Sequence, residues 1–476
     1  MTPAAPAVPV PSVSPSPPPP PLELSLRRGL SPLARRVEER DGFPVLPGGF
    51  PLVGHMPATA LDELGLLRDA ERSLGPMFFW NQGFGAFQLV CTARDAFSLF
   101  KNKVTDSEYM LTHQGLAHLF GAGLIARDGA EHRHLRTAMN GPFQPRGLGE
   151  AKVGELVASL VDARVRSWVG AGRGDVRILA ETRELALEVM FRLVGVDEHE
   201  IGAWRHRYER LMLLALNFPF DLPGTPRRRG LEARAWLDER IGRIVTRVRA
   251  RGAEEQGILP ALLRSRDETG APLSDRELVD NLRLVFLAGH ETSASTMAWM
   301  VAHLAEEPAV WRALRDEARA APDLPRSPRD LKQFPHAEAV FRETLRLHPP
   351  VAHDARRAIV DFELGGRTVK KGTLCTIPIL TLSRDAEQYP DPDTFRPARW
   401  IGKQEALSPL EMVQFGGGPH FCLGYHLAWM EIVAFAVALG RALPASGPRL
   451  VGPFPAPRYL PLLHPAASTM VRFDGR

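Results

Sequence analysis

The chain has 476 residues, of which 44% are hydrophobic and 24% are charged, and its formal net charge at pH 7 is +4. This is the composition of an ordinary globular protein that is long enough to bury a large core. The positive excess is small and scattered, without an aromatic-interleaved basic stripe, so no nucleic-acid partner is expected. Three well-separated cysteines, Cys91, Cys375 and Cys422, argue against a disulfide framework or a zinc ribbon and suit a reducing, cytoplasmic location.

The first stretch of the chain, residues 1–22, contains ten prolines and no charged side chain. Proline at this density favours extended polyproline conformations and prevents an apolar helix. We therefore expect neither a membrane anchor nor the apolar core of a signal peptide here. The prediction is a disordered tail over residues 1–40, followed by one folded domain over residues 41–476.

The segments that follow alternate between helical and extended patterns. Residues 61–73 have helical spacing, whereas residues 78–91 are aromatic-rich and alternate weakly, with glycines at the centre. The second pattern predicts a β-hairpin. Residues 101–126 show no steady period, which predicts a long, partly helical loop, and residues 151–260 contain several amphipathic helical runs.

A helix is expected to begin after Asp128-Gly129. His132 and Arg136 are four positions apart within it, so they share one helix face. Two hydrogen-bond donors on one face could hold a pair of carboxylates. A solvated basic helix face explains the same two residues equally well.

The longest predicted helix begins at a capping box, in which Ser274 is followed three positions later by Glu277, and it ends before Pro308. At the usual rise per residue it spans roughly 50 Å, enough to cross a large domain. One face of this helix carries Leu278, Leu282, Val285, Ala288 and Thr292.

The middle of this long helix carries Gly289 and Thr292. Gly289 costs about 1 kcal/mol of helix stability relative to alanine. The Thr292 hydroxyl lies one turn after the Ala288 carbonyl, so it can compete for that oxygen and open the helix. With Glu291 it forms an acid–alcohol pair beside a groove, which suits the binding of oxygen and water. A kinked helix without a chemical role is the alternative.

A further helix, residues 336–347, places Glu343 and Arg346 on one face before two prolines stop it. An exposed pair of this kind contributes little to stability. Arg399, which lies downstream, could join them. A buried carboxylate between two guanidinium groups would lock this region, because loss of one partner would strand a charge.

The C-terminal third also carries extended segments. Residues 351–378 predict a strand, a Gly-Gly hairpin and a second strand. Residues 459–473 predict a hairpin whose apolar tip, Leu460–Leu463, points at a pocket.

The segment Gln414–Gly424 reads Phe-x-x-Gly-x-x-x-Cys-x-Gly and runs into an apolar helix from Tyr425 to about Leu443. Its glycines let the backbone turn tightly and lie close to a flat ligand. Cys422 lies at a helix N-terminus, where amide N–H groups and the helix dipole favour the thiolate. Gly424 keeps the first helical turn free of side chains, so a macrocycle can press against it.

These motifs, in this order, resemble those of the cytochrome P-450 family from Gly42 to the C-terminus. The resemblance implies a fold that is mostly α with small β-sheets, in one catalytic domain. It implies haem b as the cofactor, with Cys422 as the iron ligand that pushes electron density onto the metal. It also implies that Thr292 and Glu291 manage protons for bound dioxygen.

The resemblance assigns further residues to the cofactor and to the region behind it. A structural triad would consist of Glu343, Arg346 and Arg399. Cofactor contacts would come from His132, Arg136, Ala288, Gly289, Arg356, Phe415, Gly416, His420, Cys422 and Gly424.

A monooxygenase is the activity that the resemblance implies, with one atom of O2 inserted into an apolar organic substrate of terpenoid, steroid, fatty-acyl or polyketide size. Electrons would come from a ferredoxin or flavodoxin with its reductase, because no Gly-x-Gly-x-x-Gly follows a strand and no additional cysteine cluster could hold an iron–sulfur centre. Arg133 and Arg342 are candidate contacts for that acidic donor. We expect a monomer.

Apolar stretches are expected to line the substrate pocket, among them residues 211–220, Val351-Ala352 and Leu460–Leu463. His353 and Arg357 are the polar residues near this path that could orient a hydroxyl or a carboxylate.

Two alternatives remain at this point. One is a peroxide-using or rearranging haem enzyme, against which the Glu291-Thr292 pair argues. The other is a non-catalytic protein of the same fold that binds and activates another protein, against which Cys422 and Thr292 argue.

Overall fold

The protein is described by a computed structural model. The described residues are 23–100, 104–107, 118–119, 121–169, 174–216, 220–251, 257–403, 407–460 and 462–473. Residues 1–22 of the predicted tail, and much of the predicted loop 101–126, lie outside these ranges. The assignment of residues 41–476 to one catalytic domain stays a prediction.

The second half of the predicted tail differs from the prediction. Residues Leu26–Arg28 form a short 3-10 helix, and Glu38–Arg40 pairs antiparallel with Phe43–Val45. Leu30 is 1% exposed and belongs to an apolar cluster with the first α-helix. Disorder up to residue 40 is therefore wrong for residues 23–40, because the proline density that motivated it stops at residue 22.

Helices dominate the molecule, which confirms the predicted fold class. In chain order the α-helices of the described residues are α1 (Met56–Leu74), α2 (Gly129–Phe143), α3 (Pro145–Glu150), α4 (Val153–Val169), α5 (Ile178–Val194), α6 (Ile201–Leu211), α7 (Pro226–Arg251), α8 (Ile258–Arg264), α9 (Asp275–Glu306), α10 (Pro308–Ala320), α11 (Pro335–Leu347), α12 (Ile379–Leu382) and α13 (Tyr425–Ala442). None of them combines the length and the apolar character needed to span a bilayer.

Helix α9 runs through the centre of the protein, as its caps predict. Ser274 and Glu277 form the expected capping box, and the helix ends just before Pro308. Most of its side chains are buried in the main hydrophobic core. Thr182 of α5 donates its hydroxyl to the Ala294 carbonyl at 2.9 Å, so α5 and α9 are joined by a buried hydrogen bond as well as by packing.

The strands are short. They are β1 (Glu38–Arg40), β2 (Phe43–Val45), β3 (Met77–Asn81), β4 (Phe87–Cys91), β5 (Thr105–Asp106), β6 (Val176–Arg177), β7 (Asp354–Ala358), β8 (Phe362–Leu364), β9 (Arg367–Val369), β10 (Leu374–Ile377), β11 (Pro448–Leu450), β12 (Pro457–Arg458), β13 (His464–Pro465) and β14 (Met470–Phe473).

One mixed sheet has the order β1-β2-β3-β4-β10-β7-β5, and smaller sheets are β11-β14-β6, β12-β13 and β8-β9. The hairpin predicted over residues 78–91 is confirmed as the antiparallel pair β3 and β4. The Gly-Gly hairpin is confirmed as β8 and β9. The hairpin predicted over residues 459–473 is shorter, because β12 pairs with β13 whereas β14 pairs with β11 and β6. Pro465 has no N–H with which to continue the ladder.

Behind the Cys422 loop, the Glu343 carboxylate is fully buried and has several donors. It accepts from the Arg346 guanidinium at 2.8 and 2.9 Å, from Arg399 Nε at 3.0 Å, from Trp400 Nε1 at 2.8 Å and from the Arg396 N–H at 2.8 Å. Burial alone raises a carboxyl pKa, but these donors hold the pKa of Glu343 below its usual range. The carboxylate joins α11 to the segment before Cys422.

Replacing Glu343 with glutamine should destabilise the protein by about 3–5 kcal/mol, since it leaves two buried guanidinium groups without their counter-charge. The free energy of unfolding from urea titration measures this effect. Glu150→Gln is the control, because Glu150 forms an exposed i,i+4 pair with Arg146 and its loss should leave the unfolding curve unchanged. Equal unfolding curves for Glu343→Gln and wild type would contradict a structural role for Glu343.

Candidate active site

Cys422 lies in a loop that is fixed from both sides. Its backbone N–H donates to the Phe415 carbonyl at 2.9 Å. The Phe415 ring meets the Tyr425 ring edge-on, with centroids 4.7 Å apart. From α2, Arg136 donates Nη1 to the Phe421 carbonyl at 2.6 Å. The cysteine is therefore held between α2 and the start of α13.

Three glycines shape this loop in different ways. Gly416 has a φ of 73°, a conformation that favours glycine. A Cβ on Gly417 would lie 3.0 Å from the Phe100 side chain. A Cβ on Gly424 would have no heavy atom within 4 Å. The loop is therefore tightly packed on one side, whereas the side at Gly424, two residues after Cys422, faces open space.

Cys422 is only partly buried, and a Cβ on Gly424, two residues later, would meet no heavy atom within 4 Å. We infer that the cysteine faces a space that the loop leaves open. Burial raises the pKa of the Cys422 thiol, and the Gly424 N–H and the Arg136 charge lower it by a smaller amount. The amide N–H that was predicted to favour the thiolate thus lowers the pKa of Cys422, but burial raises this pKa by more. A metal cation at the sulfur would displace the proton.

The middle of α9 also faces an internal space. Ala288 is exposed, and Val285 and Thr292 are partly exposed, although most residues around them in the helix are buried. These three side chains are spaced as neighbours on one helix face. The Thr292 hydroxyl donates to the Ala288 carbonyl at 2.6 Å, so the predicted competition for that oxygen takes place.

The contacts of Gly289 and Glu291 were not predicted from their motif, which assigned Gly289 to the cofactor and Glu291 to proton transfer. A Cβ on Gly289 would come within 2.3 Å of Met190 on α5, so close helix packing explains this glycine. Any contact of Gly289 with a cofactor would have to come from its backbone. The Glu291 carboxylate receives Arg183 Nε at 3.0 Å and Nη2 at 2.9 Å, so its partner is on α5.

A hydrogen bond joins α9 to α13 beside these groups. Ser293 donates its hydroxyl to Glu431 at 2.8 Å, and both residues are buried. Burial raises the pKa of Glu431 to about 8, so this carboxyl is neutral at pH 7. Glu431 lies about 9 Å along α13 from Tyr425. We infer that the partly exposed side chains of Thr292 and Cys422 flank one internal space near this crossing.

Hydrogen-bond donors cluster at one edge of the space. The His132 and His420 rings lie 4.2 Å apart, and His420 Nε2 is 2.9 Å from Asp128 Oδ1. Burial, followed by the charges of His420 and Arg136, lowers the pKa of His132 to about 4. Arg356 is 5% exposed and is close enough for its charge to act on both Asp128 and His132.

Two of these donors lack partners. Within the described ranges, His132 Nε2 and Arg356 Nε are buried without a hydrogen bond. Unpaired buried polar atoms are costly, so a ligand that accepts from them fits this place. A flat macrocycle with carboxylates at its edge and a metal at its centre satisfies the donors, the open side at Gly424 and the Cys422 sulfur. The site therefore fits haem b.

The structure excludes one predicted partner contact. Arg342 is 7% exposed, donates to Glu338 at 2.7 Å and lies over the Trp429 ring. It is therefore packed inside the protein, and its prediction as a docking contact is wrong. Arg133, the other candidate, is exposed on α2.

Several site residues were missed by sequence reasoning. Arg183 and Glu431 are examples, and each contacts a residue more than 100 positions away. No local motif marks such partners. The one available signal was an ionisable residue inside an apolar helical run, as Glu431 is within α13.

Comparisons with known proteins agree with this geometry. A family model described as Cytochrome P450 matches residues 44–439. The chain is 42% identical over 448 residues to the cytochrome P450 BJ-4 homolog of Sinorhizobium fredii, covering 94% of this chain and 99% of that protein. It is 31% identical over 352 residues to cyclooctat-9-en-7-ol 5-monooxygenase of Streptomyces melanosporofaciens, covering 70% and 75%. Among solved structures, retinoic-acid-bound cyanobacterial CYP120A1 aligns with a TM-score of 0.78 and 25% identity, covering 90% of this chain and 98% of that one.

Replacing Gly424 with valine should leave the protein folded but reduce its haem content several-fold. The new side chain meets no protein atom, and it projects into the space that the macrocycle would fill. Haem per chain from absorbance, together with far-UV circular dichroism, measures the two effects. Gly202→Val, at an exposed position of α6 that is equally open, should retain full haem. Full haem in Gly424→Val would show that the cofactor does not lie against this turn.

Proposed function

The chain belongs to the cytochrome P450 family, and from this membership we propose its substrate class, its electron donors and the roles of its site residues. It is a haem-thiolate monooxygenase, and its cofactor is haem b. The observation that supports the residue assignments is that Cys422 and the α9 face with Val285, Ala288 and Thr292 both keep accessible surface, and that α9 is joined to α13, the helix after Cys422, by the Ser293–Glu431 hydrogen bond.

Cys422 is the iron ligand. When bound, the haem supplies the redox chemistry that activates O2, places one oxygen atom in the substrate and releases the other as water. The Gly424 N–H and the Arg136 guanidinium place positive charge beside the sulfur, which stabilises its thiolate. His132, Arg136, Arg356 and His420 would bind the carboxylates at the haem edge, and two of their atoms, His132 Nε2 and Arg356 Nε, have no hydrogen bond within the described residues.

Thr292 and Glu291 transfer protons on the α9 side of the haem site, opposite Cys422. The Thr292 hydroxyl donates to the Ala288 carbonyl, which leaves its oxygen free to accept a hydrogen bond from water and to hold that water in the internal space. Glu291 contacts Arg183, whose side chain is about one-third exposed. The carboxylate thus lies between the interior and solvent, where it can pass a proton inward.

The substrate is an apolar molecule of terpenoid, steroid, fatty-acyl or polyketide size. Val285 and Ala288 on the accessible face of α9 are apolar, which would penalise a strongly charged ligand through desolvation. One relative is named cyclooctat-9-en-7-ol 5-monooxygenase, and one structural neighbour is described as bound to retinoic acid. An alcohol and an acid in these names support an apolar molecule that carries a polar group.

Electrons come from a separate ferredoxin or flavodoxin. The donor docks behind the Cys422 loop, and Arg133 contacts it because this arginine is exposed on the helix that carries Arg136. Opposite charges on the two proteins speed their association.

Replacing Cys422 with serine should abolish the red-shifted absorption of the reduced carbon monoxide complex that thiolate ligation produces, because the iron loses its sulfur ligand. The difference spectrum of fresh protein measures this. Cys375→Ser is the matched control, since Cys375 is also buried and should retain the band. An unchanged band in Cys422→Ser would contradict the assignment of the ligand.

Replacing Thr292 with alanine should keep ligand binding and iron reduction but lower product formed per electron about tenfold, with the difference appearing as peroxide. Stoichiometry of electron donor, peroxide and product measures this coupling. Thr296→Ala removes a buried hydroxyl one turn later and should retain coupling. Equal coupling in Thr292→Ala and wild type would remove Thr292 from the proton path.

Reversing the charge of Arg133 to glutamate should slow reduction by an acidic ferredoxin about tenfold at low ionic strength and far less at high ionic strength. Stopped-flow reduction of the haem at several salt concentrations measures this. Arg458→Glu changes the charge equally at an exposed position on β12 and should leave the rate unchanged. A salt-independent reduction rate in wild type would contradict docking by opposite charges.

A further inference from the structure

A pocket of about 400 Å³ lies outside the haem site, in the segment between β10 and the Cys422 loop. Residues 388–390 form one wall, and the 3-10 helix Pro397–Trp400 forms another. Glu411, from the 3-10 helix Pro409–Phe415, also lines it. A volume of this size is within the range of small-molecule sites, roughly 300–1,000 Å³. None of the lining residues was assigned to the haem or to proton transfer.

Tyr389 in the wall of this pocket has a hydroxyl without a partner. The residue is 2% exposed, its ring centroid lies 6.0 Å from that of Trp400, and the Arg346 guanidinium lies 5.0 Å from the ring. Among the residues that the structure describes, the Tyr389 hydroxyl is buried and makes no hydrogen bond. A buried hydroxyl of this kind is costly, so an acceptor that enters the pocket would be stabilised by it.

The same hydroxyl stays protonated at every physiological pH. Burial, and then the charge of Glu411, raises the pKa of Tyr389 above its usual range. A neutral phenol can donate its O–H to an oxygen atom of a ligand, including a negatively charged one.

Two cations of the pocket keep N–H groups available. Arg396 donates Nη2 to the Pro390 carbonyl at 2.8 Å and contacts Asp391 through Nη1 at 3.3 Å, and 44% of its side chain is exposed. Lys403 lies 3.5 Å from Glu411, and 52% of its side chain is exposed. A guanidinium has five N–H donors and an ammonium has three, so both groups can bind an anion and keep their present contacts.

The charges around the pocket do not cancel. Arg399 is used internally, because it donates to Glu343 at 3.0 Å and to the Pro390 carbonyl at 3.1 Å. Four cations face three carboxylates in the pocket and in the network behind it, namely Arg346, Arg396, Arg399 and Lys403 against Glu343, Asp391 and Glu411. One positive charge remains, which favours an anionic ligand over a neutral one.

We propose that this pocket binds a small organic anion. A carboxylate or phosphate group contacts Arg396 and Lys403, and one oxygen of the ligand accepts from the Tyr389 hydroxyl. The apolar body of the ligand lies against Trp400 and Ala398, since an inorganic ion would leave most of the volume unfilled. The inference goes beyond the proposed function, because this site lies outside the haem site.

The test compares probes that share one apolar body. The probes are 2-naphthoate, 2-naphthyl phosphate and the neutral 2-naphthamide, and calorimetric titration of the full-length, haem-loaded protein gives each Kd. Saturating 4-phenylimidazole occupies the iron, and the Soret band shows that it stays bound, so the probes cannot be reporting on the haem pocket. At least one anion should bind at one site per chain, about tenfold more tightly than the amide. The tighter of the two anions identifies the preferred charged group.

Three variants separate binding from a merely structural effect. Tyr389→Phe should weaken the tighter anion about tenfold, yet raise the urea midpoint of the ligand-free protein, because its hydroxyl has no partner to lose. Arg396→Gln should weaken the same anion about tenfold and leave the amide unchanged. Tyr459→Phe is the matched control: this tyrosine is also buried, but its hydroxyl contacts Asp62 at 3.3 Å. It should bind the probes as wild type does and lower the urea midpoint.

Equal affinities of the anions and the amide, or no heat of binding from either anion, would overturn the inference. So would an unchanged Kd for the tighter anion in both Tyr389→Phe and Arg396→Gln. A lowered urea midpoint in Tyr389→Phe would show that the hydroxyl already has a partner and would contradict the site as described. The proposed function is tested separately, by whether 4-phenylimidazole shifts the Soret band at all.

Discussion

A thiol that is enclosed by protein and yet uncovered on one side is the feature on which the rest of the site depends. Burial raises the pKa of the Cys422 thiol. Its open side lets a metal cation take the place of the proton. The fixed loop, the bare turn at Gly424 and the accessible face of α9 all serve to keep this space open beside the sulfur.

Charged groups around the space are held in pairs that fix the surrounding elements. Glu343 binds two arginines behind the loop, and Glu291 binds Arg183 where α9 meets α5. Breaking the buried pair of Glu343 and Arg346 is expensive, so the region behind the loop is stiff. Within the described residues, His132 Nε2 is buried without a hydrogen bond, so a ligand that accepts a hydrogen bond there would complete the structure.

Local patterns predicted the fold class, the long central helix and the Cys422 loop, because caps, glycines and helical spacing act over a few residues. The Thr292–Ala288 hydrogen bond is of the same kind. Contacts between distant segments could not be predicted in this way. Gly289 packs against Met190, and Arg342 is buried against Trp429. Both contacts depend on how helices pack against each other. The Glu63–His353 pair depends on a separation of 290 positions.

The most direct test is a crystal structure of the haem-loaded protein. The iron should be bonded to Cys422 Sγ, with the macrocycle between Gly424 and Ala288 and its carboxylates at His132 and Arg356. An iron bonded to any other residue, or a macrocycle lying away from the face of α9, would contradict the assignment of this internal space as the active site.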